Sequence, residues 1–289
     1  MQSTIEKAAV LIEALPYIQA FRGEAVVVKF GGSIMDDAGL VESILRDIAF
    51  MECIGLHPIL VHGGGKAISR RLKEKNIHTE FVQGLRVTSD EAIREVESVL
   101  NDEVNPEIVA KLMKTGCKAR GIHGEDIILA EKKVVVDVNG VKLDWGHVGN
   151  ALAVDKEPIK AYLSSDIVPV ITPLGYDSER RIYNINADET ATLIARELRA
   201  RKLVFLSDVP GLLKNEADRK DVISTLKTDD VQKLIERGVI SGGMLPKIQG
   251  AVEAIRAGVQ KTHIIDAGMP HSLLLELFTE KGVGTEILL

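Results

Sequence analysis

The sequence predicts an α/β fold, a three-layer αβα sandwich around a mainly parallel central sheet. Three observations carry that expectation. Ala25 to Phe30 (AVVVKF) and Pro58 to His62 (PILVH) are near-continuous apolar runs. Such runs mark strands buried on both faces of a parallel sheet. Each run stops at a glycine turn, Gly31-Gly32 and Gly63-Gly64-Gly65, and each turn is followed by a helical pattern, Val41 to Met51 and Lys66 to Asn76. Repeated strand–glycine–helix units build βαβ architecture. The composition agrees: 45% of residues are hydrophobic but only 4% are aromatic, so the core is aliphatic.

The first element is a helix over Ser3 to Ala20. Ser3 or Thr4 can cap it, Glu6 lies three residues after Ser3, and Ile5, Ala8, Ala9, Ile12 and Leu15 recur at helical spacing. Pro16 is expected to kink or end the run. The helix either packs on its own domain or serves as an arm that joins subunits, so residues 1–24 form a separate unit. After the two βα units, Asp90 to Leu100 and Pro106 to Met113 read as helices. Ala130 to Val136 and Val141 to Asp144 flank Asn139-Gly140, a hairpin signal. Ile167 to Ile171 is a buried strand, and Ala187 to Arg199 is a helix entered from Asn184-Ile185-Asn186. Leu203 to Leu206 is a strand running into Ser207-Asp208-Val209-Pro210-Gly211. Val231 to Arg237 and Met244 to Ala257 are helices, the second led by Gly242-Gly243. His263 to Ile265 and Gly284 to Leu288 are the last strands.

Charge and composition narrow the function. With 36 Lys+Arg against 42 Asp+Glu the net charge is −6. That balance and the few aromatics speak against a nucleic-acid binder, which needs basic patches and stacking surfaces. They do not exclude an anionic substrate, because ligands answer to local charge. Cys53 and Cys117 cannot build a disulfide framework or a zinc site. No apolar run reaches the ~18–20 residues of a bilayer span, and the N-terminus lacks a signal-peptide pattern. The expectation is a soluble, cytoplasmic enzyme.

The chemistry concentrates at strand ends. Lys29-Phe30-Gly31-Gly32-Ser33, His62-Gly63-Gly64-Gly65-Lys66 and Ser207-Asp208-Val209-Pro210-Gly211 are small-residue turns behind apolar strands. Glycine lets backbone approach a ligand closely, and a helix N-terminus behind it offers free N–H groups to an anion. None of the turns matches a dinucleotide fingerprint or a P-loop. His62-Gly63-Gly64-Gly65 is similar to an esterase oxyanion loop, but no G-x-S-x-G elbow accompanies it. Lys29 is the only charge in its strand; it either reaches solvent or holds a positive charge at a phosphate site. Lys247 lies in the first turns of a helix, where a cation opposes the dipole and an anionic ligand would explain it. Asp188 sits at a helix start, as a cap or as a functional carboxylate; position alone does not decide. The seven histidines show no metal-ligand spacing, and no protein-held metal is expected.

Six segments then occur in a fixed order: VVVKFGGS, VHGGGK, GLRVT, NINADETAT, LSDVPGL and GGMLPKI. From about Val26 to the C-terminus the chain resembles the amino acid kinase family. KFGG alone is shared with aspartate kinases; GLRVT with NINAD is similar to the members that act on N-acetyl-L-glutamate. The resemblance implies transfer of the γ-phosphoryl group of ATP, with Mg²⁺ on its phosphates, to the γ-carboxylate of N-acetyl-L-glutamate, the second step of arginine biosynthesis. It implies an acceptor lobe over 25–200 and a nucleotide lobe over 201–289. Lys29 and Lys247 match lysines that stabilise the transferring phosphoryl group, and Asp188 the acid that orients both. Gly64, Gly65, Arg86 and Asn184 match acceptor contacts. Gly31, Gly32, Ser207, Asp208, Gly211, Gly242, Gly243 and Met244 lie where the nucleotide binds.

The N-terminal extension resembles that of arginine-inhibited hexamers built as trimers of dimers. Arginine is therefore an expected effector, with Lys214, His271, Glu276 and Gly282 as site candidates; Glu276 could equally sit on a solvated helix face. A nitrogen-signalling protein is a further partner the resemblance admits. One departure from the family pattern is His123, in Gly121-Ile122-His123-Gly124-Glu125-Asp126, where Ser or Thr is expected. Two alternatives stay open. One is another family member, an aspartate or glutamate 5-kinase, although the chain ends too early for their extra domains. The other is a non-catalytic arginine sensor, which would have lost Lys29, Lys247 or Asp188.

Overall fold

The computed structural model describes residues 2–82, 85–136, 142–215, 218–219, 221–279 and 282–289. Helix α1 (Gln2–Phe21) leads into β1 (Ala25–Phe30), a 3-10 turn (Gly32–Asp36) and α2 (Ala38–Cys53); β2 (His57–His62) and α3 (Gly65–Glu74) repeat the unit. A hairpin of β3 (Phe81–Val82) and β4 (Leu85–Arg86) precedes α4 (Asp90–Ser98), a π-helical segment (Val99–Val104) and α5 (Asn105–Lys114). Then come β5 (Ala119–Ile122), α6 (Gly124–Ile127), β6 (Ile128–Lys132), β7 (Val135–Val136), β8 (Lys142–Leu143), β9 (Gly149–Val154) and α7 (Glu157–Leu163). β10 (Val168–Ile171), β11 (Leu174–Tyr176), β12 (Ile182–Asn184) and α8 (Ala187–Leu198) follow. The chain closes with β13 (Lys202–Ser207), β14 (Thr225–Lys227), α9 (Val231–Glu236), α10 (Met244–Arg256), β15 (Lys261–Asp266), α11 (Ser272–Phe278) and β16 (Thr285–Leu288).

Eight strands form the central sheet in the order β14-β16-β15-β13-β1-β2-β10-β5. The pairs from β15 to β5 are parallel, and β16 runs antiparallel to β15. Both faces are covered, as continuous apolar strands require. Along β1, Val26, Val28 and Phe30 pack in one apolar layer with Ile44, Leu45 and Ile48 of α2. Val27 points into the other, with Ile194 of α8 and Ile248 of α10. The expected αβα sandwich is the observed architecture. A single sheet runs across the division drawn at residue 200: β1, β2, β5 and β10 lie before it, β13 to β16 after it.

Several elements differ from the sequence expectations. α1 does not end at Pro16 but continues to Phe21. Its last turn is held by tertiary contacts: Phe21 is buried, stacks edge-on against Phe278 at 6.3 Å and lies 5.0 Å from the Lys202 ammonium. The two helices expected around residues 90–113 join through the π-helical segment into one rod. The strand expected over 130–136 divides into β6 and β7, and β6 pairs with β9 in a second, four-stranded sheet, β12-β11-β6-β9. The Asn139-Gly140 turn lies outside the described residues. The site below is built where β1 and β2 end and where α3, α8 and α10 begin.

Candidate active site

The Asn184-Ile185-Asn186 entry into α8 shows that Asp188 is not the cap of this helix. Asn186 is the cap: its side-chain oxygen accepts from the amides of Asp188 (2.8 Å) and Glu189 (3.4 Å). The Asp188 carboxylate is thereby released from capping and turns to two lysines. Lys29 Nζ lies 3.0 Å from Oδ1, and Lys247 Nζ lies 2.5 Å from Oδ2. All three side chains are largely buried. Burial pushes the Asp188 carboxyl up, but Lys29 and Lys247 together outweigh it and hold it below the ordinary carboxylate value. Burial draws Lys29 below the usual lysine value; Asp188 opposes that and the Lys247 charge adds to it. Lys247 also sits 5.8 Å from the centre of the Phe205 ring.

This clamp separates two cavities. The first, about 300 Å³, is lined by Lys29, Gly32, Gly64, Gly65, Arg86, Asn184 and Asp188, together with Phe81 and Leu100. α3 starts there with no side chain capping it, so its N-terminal amides are open to an anion. Arg86 is buried. Its Nη2 donates to the Gly65 carbonyl (2.9 Å) and to Ser69 Oγ (2.6 Å), and the Phe81 ring lies 4.5 Å from its guanidinium carbon. Nη1 is buried with no hydrogen-bond partner among the described residues. A buried unpaired guanidinium nitrogen costs free energy unless a ligand accepts from it. Asn184 Nδ2 approaches Thr88 Oγ1 at 3.5 Å beside it.

The second cavity, about 1040 Å³, shares Asp188 with the first and is lined by Gly242, Gly243 and Lys247 at the start of α10. That helix start also lacks a side-chain cap. Gly31 packs against Gly63, and a Cβ there would sit 3.1 Å from the Gly63 nitrogen. Ser207 ends β13 and Asp208 and Gly211 follow it; none of the three lines either cavity, nor does Met244. At Gly211 the need for glycine is structural: φ is +146°, and a Cβ would lie 2.6 Å from Thr285 Oγ1.

The four effector candidates separate. Glu276 and Gly282 line a third cavity, about 360 Å³, with Tyr17 and Phe21 of α1, Lys202, Lys261 and Glu286. Glu276 is buried rather than on a solvated face: Oε1 pairs with His263 Nδ1 at 2.6 Å, and Oε2 accepts from the amides of Val283 (2.6 Å) and Gly284 (3.1 Å). Burial and the neighbouring Lys261 lower Lys202 to about 8. His271 and Lys214 lie elsewhere: His271 pairs with buried Asp47 at 2.6 Å, and Lys214 with Asp221 at 3.1 Å. His123, at the start of α6, caps nothing; Thr172 Oγ1 takes the Gly124 amide instead, at 2.8 Å.

Sequence reasoning missed Asn186, Ser69, Phe81 and Leu100. Asn186 was open to discovery, since Asn directly before a helix start is a strong cap signal. The others depend on tertiary placement alone. Among the described residues no helix is long and apolar enough to cross a membrane, and no group of three or more His, Cys, Asp and Glu side chains could hold a metal ion.

Two lysines paired to one buried carboxylate thus stand between two cavities, on a parallel sheet with uncapped helix starts. The chain belongs to the amino acid kinase family, whose model matches residues 24–266. It is 46% identical to an acetylglutamate kinase of Syntrophomonas wolfei subsp. wolfei, over 99% of this chain and 98% of that protein. It is 44% identical to an acetylglutamate kinase of Akkermansia muciniphila, over 98% and 96%. Among solved structures it superposes on an N-acetylglutamate synthase from Neisseria gonorrhoeae at TM-score 0.84 and 25% identity, covering 98% of this chain and 63% of that one. A Giardia carbamate kinase shares the fold at TM-score 0.69 and 15% identity, over 92% of this chain and 99% of that one.

Proposed function

We propose that the chain transfers the γ-phosphoryl group of ATP to the γ-carboxylate of N-acetyl-L-glutamate. The carrying observation is the Asp188 clamp, which sets two lysine ammoniums between an acceptor-sized cavity and a larger one. Full-length likeness to acetylglutamate kinases supports the substrate. N-acetyl-L-glutamate sits in the 300 Å³ cavity with a carboxylate on Arg86 Nη1, whose planar fork suits that group. ATP lies in the larger cavity with its phosphates toward the amides that open α10.

The acceptor carboxylate oxygen attacks the γ-phosphorus as the bond to the ADP oxygen breaks. The acceptor is already ionised, so no proton needs removal and no general base is required. Lys29 and Lys247 neutralise charge that spreads over the phosphoryl oxygens, and the Gly64 amide donates to one of them; in phosphoryl transfer positioning and charge stabilisation supply most of the rate. Mg²⁺ carried on the ATP phosphates would supply further neutralisation. The test is acetylglutamate-dependent ADP release by purified protein with Mg-ATP. Its absence, with aspartate, glutamate and carbamate tried alongside, ends the proposal.

Arginine inhibition is the regulatory half of this reading. The third cavity offers Glu276 and Glu286 to a guanidinium and Lys202 and Lys261 to a carboxylate. Tyr17 and Phe21 wall it, so an occupant presses on α1. Ile12 and Leu15 on α1 are 69% and 44% exposed, an apolar stripe suited to a second copy in a hexamer. Loss of arginine inhibition in Lys202→Met is the expected result. Light scattering on the full chain and on residues 23–289 tests assembly; equal subunit numbers would remove the arm.

A further inference from the structure

We infer that His62 and Asn105 are positioning residues that aim the Gly64 amide at the transferring phosphoryl group. The inference rests on the reading that this amide donates to substrate. His62 ends β2 and is fully buried. Its Nδ1 lies 2.9 Å from the carbonyl oxygen of the next residue, Gly63. Its Nε2 lies 3.0 Å from Asn105 Nδ2, which also bonds the Val170 carbonyl at 2.9 Å. A carbonyl can only accept, so the Asn105 group facing Val170 is the NH₂, and its second hydrogen points at Nε2. Nε2 is therefore the acceptor, and Nδ1 carries the proton and donates to Gly63. A neutral ring fits its surroundings, because burial lowers His62 to about 4.

The carbonyl of Gly63 and the amide of Gly64 belong to one rigid peptide plane. The described backbone has no cis bonds, so N–H and C=O point in opposite directions across that plane. Anchoring the Gly63 oxygen on His62 thus directs the Gly64 N–H away from the ring, toward the cavity that Gly64 lines. The other side of the loop is held by the Gly63 amide donating to the Phe30 carbonyl at 2.9 Å. Donation into the Gly63 carbonyl also polarises the plane and makes the Gly64 N–H a stronger donor.

The π-helical segment explains how Asn105 reaches the ring. The Asn105 amide bonds the Leu100 carbonyl, a five-residue step. In an α-helix residues five apart diverge by about 140°; the wider turn brings them onto one side. Leu100 then packs on Gly64, where a Cβ would lie 2.7 Å from its Cδ2, while Asn105 meets His62. Both supports of the glycine loop come from one widened turn.

The test uses the full chain with His62→Gln, His62→Asn, Asn105→Leu and Gly64→Ala, reading kcat, both KM values, Tm and the ¹⁵N spectrum of histidine-labelled protein. Asn can donate from near the Nδ1 position, whereas Gln keeps only an acceptor near Nε2. H62Q is expected to lose roughly 10- to 100-fold in kcat, the scale of one misdirected transition-state donor, with the KM for ATP within about twofold. H62N is expected to recover to within about threefold of the parent. In N105L the His62 signals shift from a single Nδ1–H tautomer to a mixture. Equal losses in H62Q and H62N, or losses that follow Tm, overturn the inference and leave a packing role. A single unchanged tautomer in N105L overturns the part given to Asn105. Ala keeps the backbone N–H of position 64 while its Cβ would meet Leu100, so full kcat in G64A removes the support given to Leu100; full kcat in H62Q removes the positioning and leaves the proposed transfer, which ADP release by the parent tests separately, intact.

Discussion

Replacing Asp188 by Asn keeps the shape of the clamp and removes its charge. At an effective dielectric of about 20, a unit pair 3.0 Å apart attracts by roughly 5 kcal/mol. Asp188 makes two such contacts, and the variant keeps neither at full strength while Lys29 and Lys247 still repel. Deleting one partner of a buried pair typically costs about 3–5 kcal/mol. At about 2 °C per kcal/mol for a chain of this size, Tm should fall by roughly 6–10 °C, less where Lys29 sheds its proton.

Catalysis should respond differently from stability. Lys29 is already drawn below the usual lysine value by burial, and Asp188 is what opposes this. Without the carboxylate, Lys29 falls further and becomes neutral at a lower pH. A neutral lysine cannot balance phosphoryl charge, so the alkaline limb of kcat moves to lower pH in D188N, and some rate returns on acidification. At neutral pH a loss of about 10²–10³-fold is expected. The assay is ADP release at saturating substrates from pH 6 to 10 beside thermal melting. A D188N protein within threefold of the parent, with its alkaline limb unmoved, would refute the clamp.

Arg86→Lys keeps the charge but loses the fork that bonds Gly65, Ser69 and the ligand; the KM for N-acetyl-L-glutamate should rise roughly 10-fold or more, with that for ATP unchanged, and equal KM shifts would count against acceptor binding. His62 has an ordinary value near 6.5 when unfolded and about 4 when folded. The folded state resists its protonation, so stability is intact above pH 6.5 and is lost as pH falls toward 4, by about 3 kcal/mol. Urea midpoints at pH 7 and pH 5 should differ more in the parent than in His62→Asn, and equal differences would contradict the assignment. Burial pushes the Cys117 thiol up to about 12 while Cys53 is exposed; iodoacetamide at pH 8 should label one cysteine in native protein and two in urea.

What the sequence revealed followed the physics of each signal. β1 and β2 were legible because strands covered on both faces leave unbroken apolar runs. Lys29 and Lys247 stood out because each breaks a local rule, one as a charge in an apolar strand and the other as a cation at a helix start. β5 (Ala119–Ile122) hid because it is an edge strand with Arg120 exposed on it. The π-helical turn hid because Val99 to Val104 carry no breaker and read as ordinary helix. Pro16 misled because a local rule met tertiary contacts at Phe21 that overrode it. His271, an effector candidate through the resemblance, has a left-handed backbone (φ 57°) and pairs with Asp47 of α2 just before α11 begins.

The start of α8 shows how neighbouring residues divide labour in a way that single positions conceal. A helix start favours both a cap and first-turn carboxylates, so Asp188 taken alone is ambiguous. Asn186 meets the capping need with a neutral oxygen, and Glu189 spends its own carboxylate on the Ala151 amide at 2.7 Å. Asp188 is left as the acid of this turn that can face inward to Lys29 and Lys247. Being ionised at a helix N-terminus, it is also favoured by the dipole, which helps to keep a buried carboxylate charged. In the proposed transfer the two lysines are held apart by an acid that does not compete for the phosphoryl group. When a substrate with several negative charges enters between the cavities, it meets cations already paired and oriented, so little reorganisation is left for the transfer step.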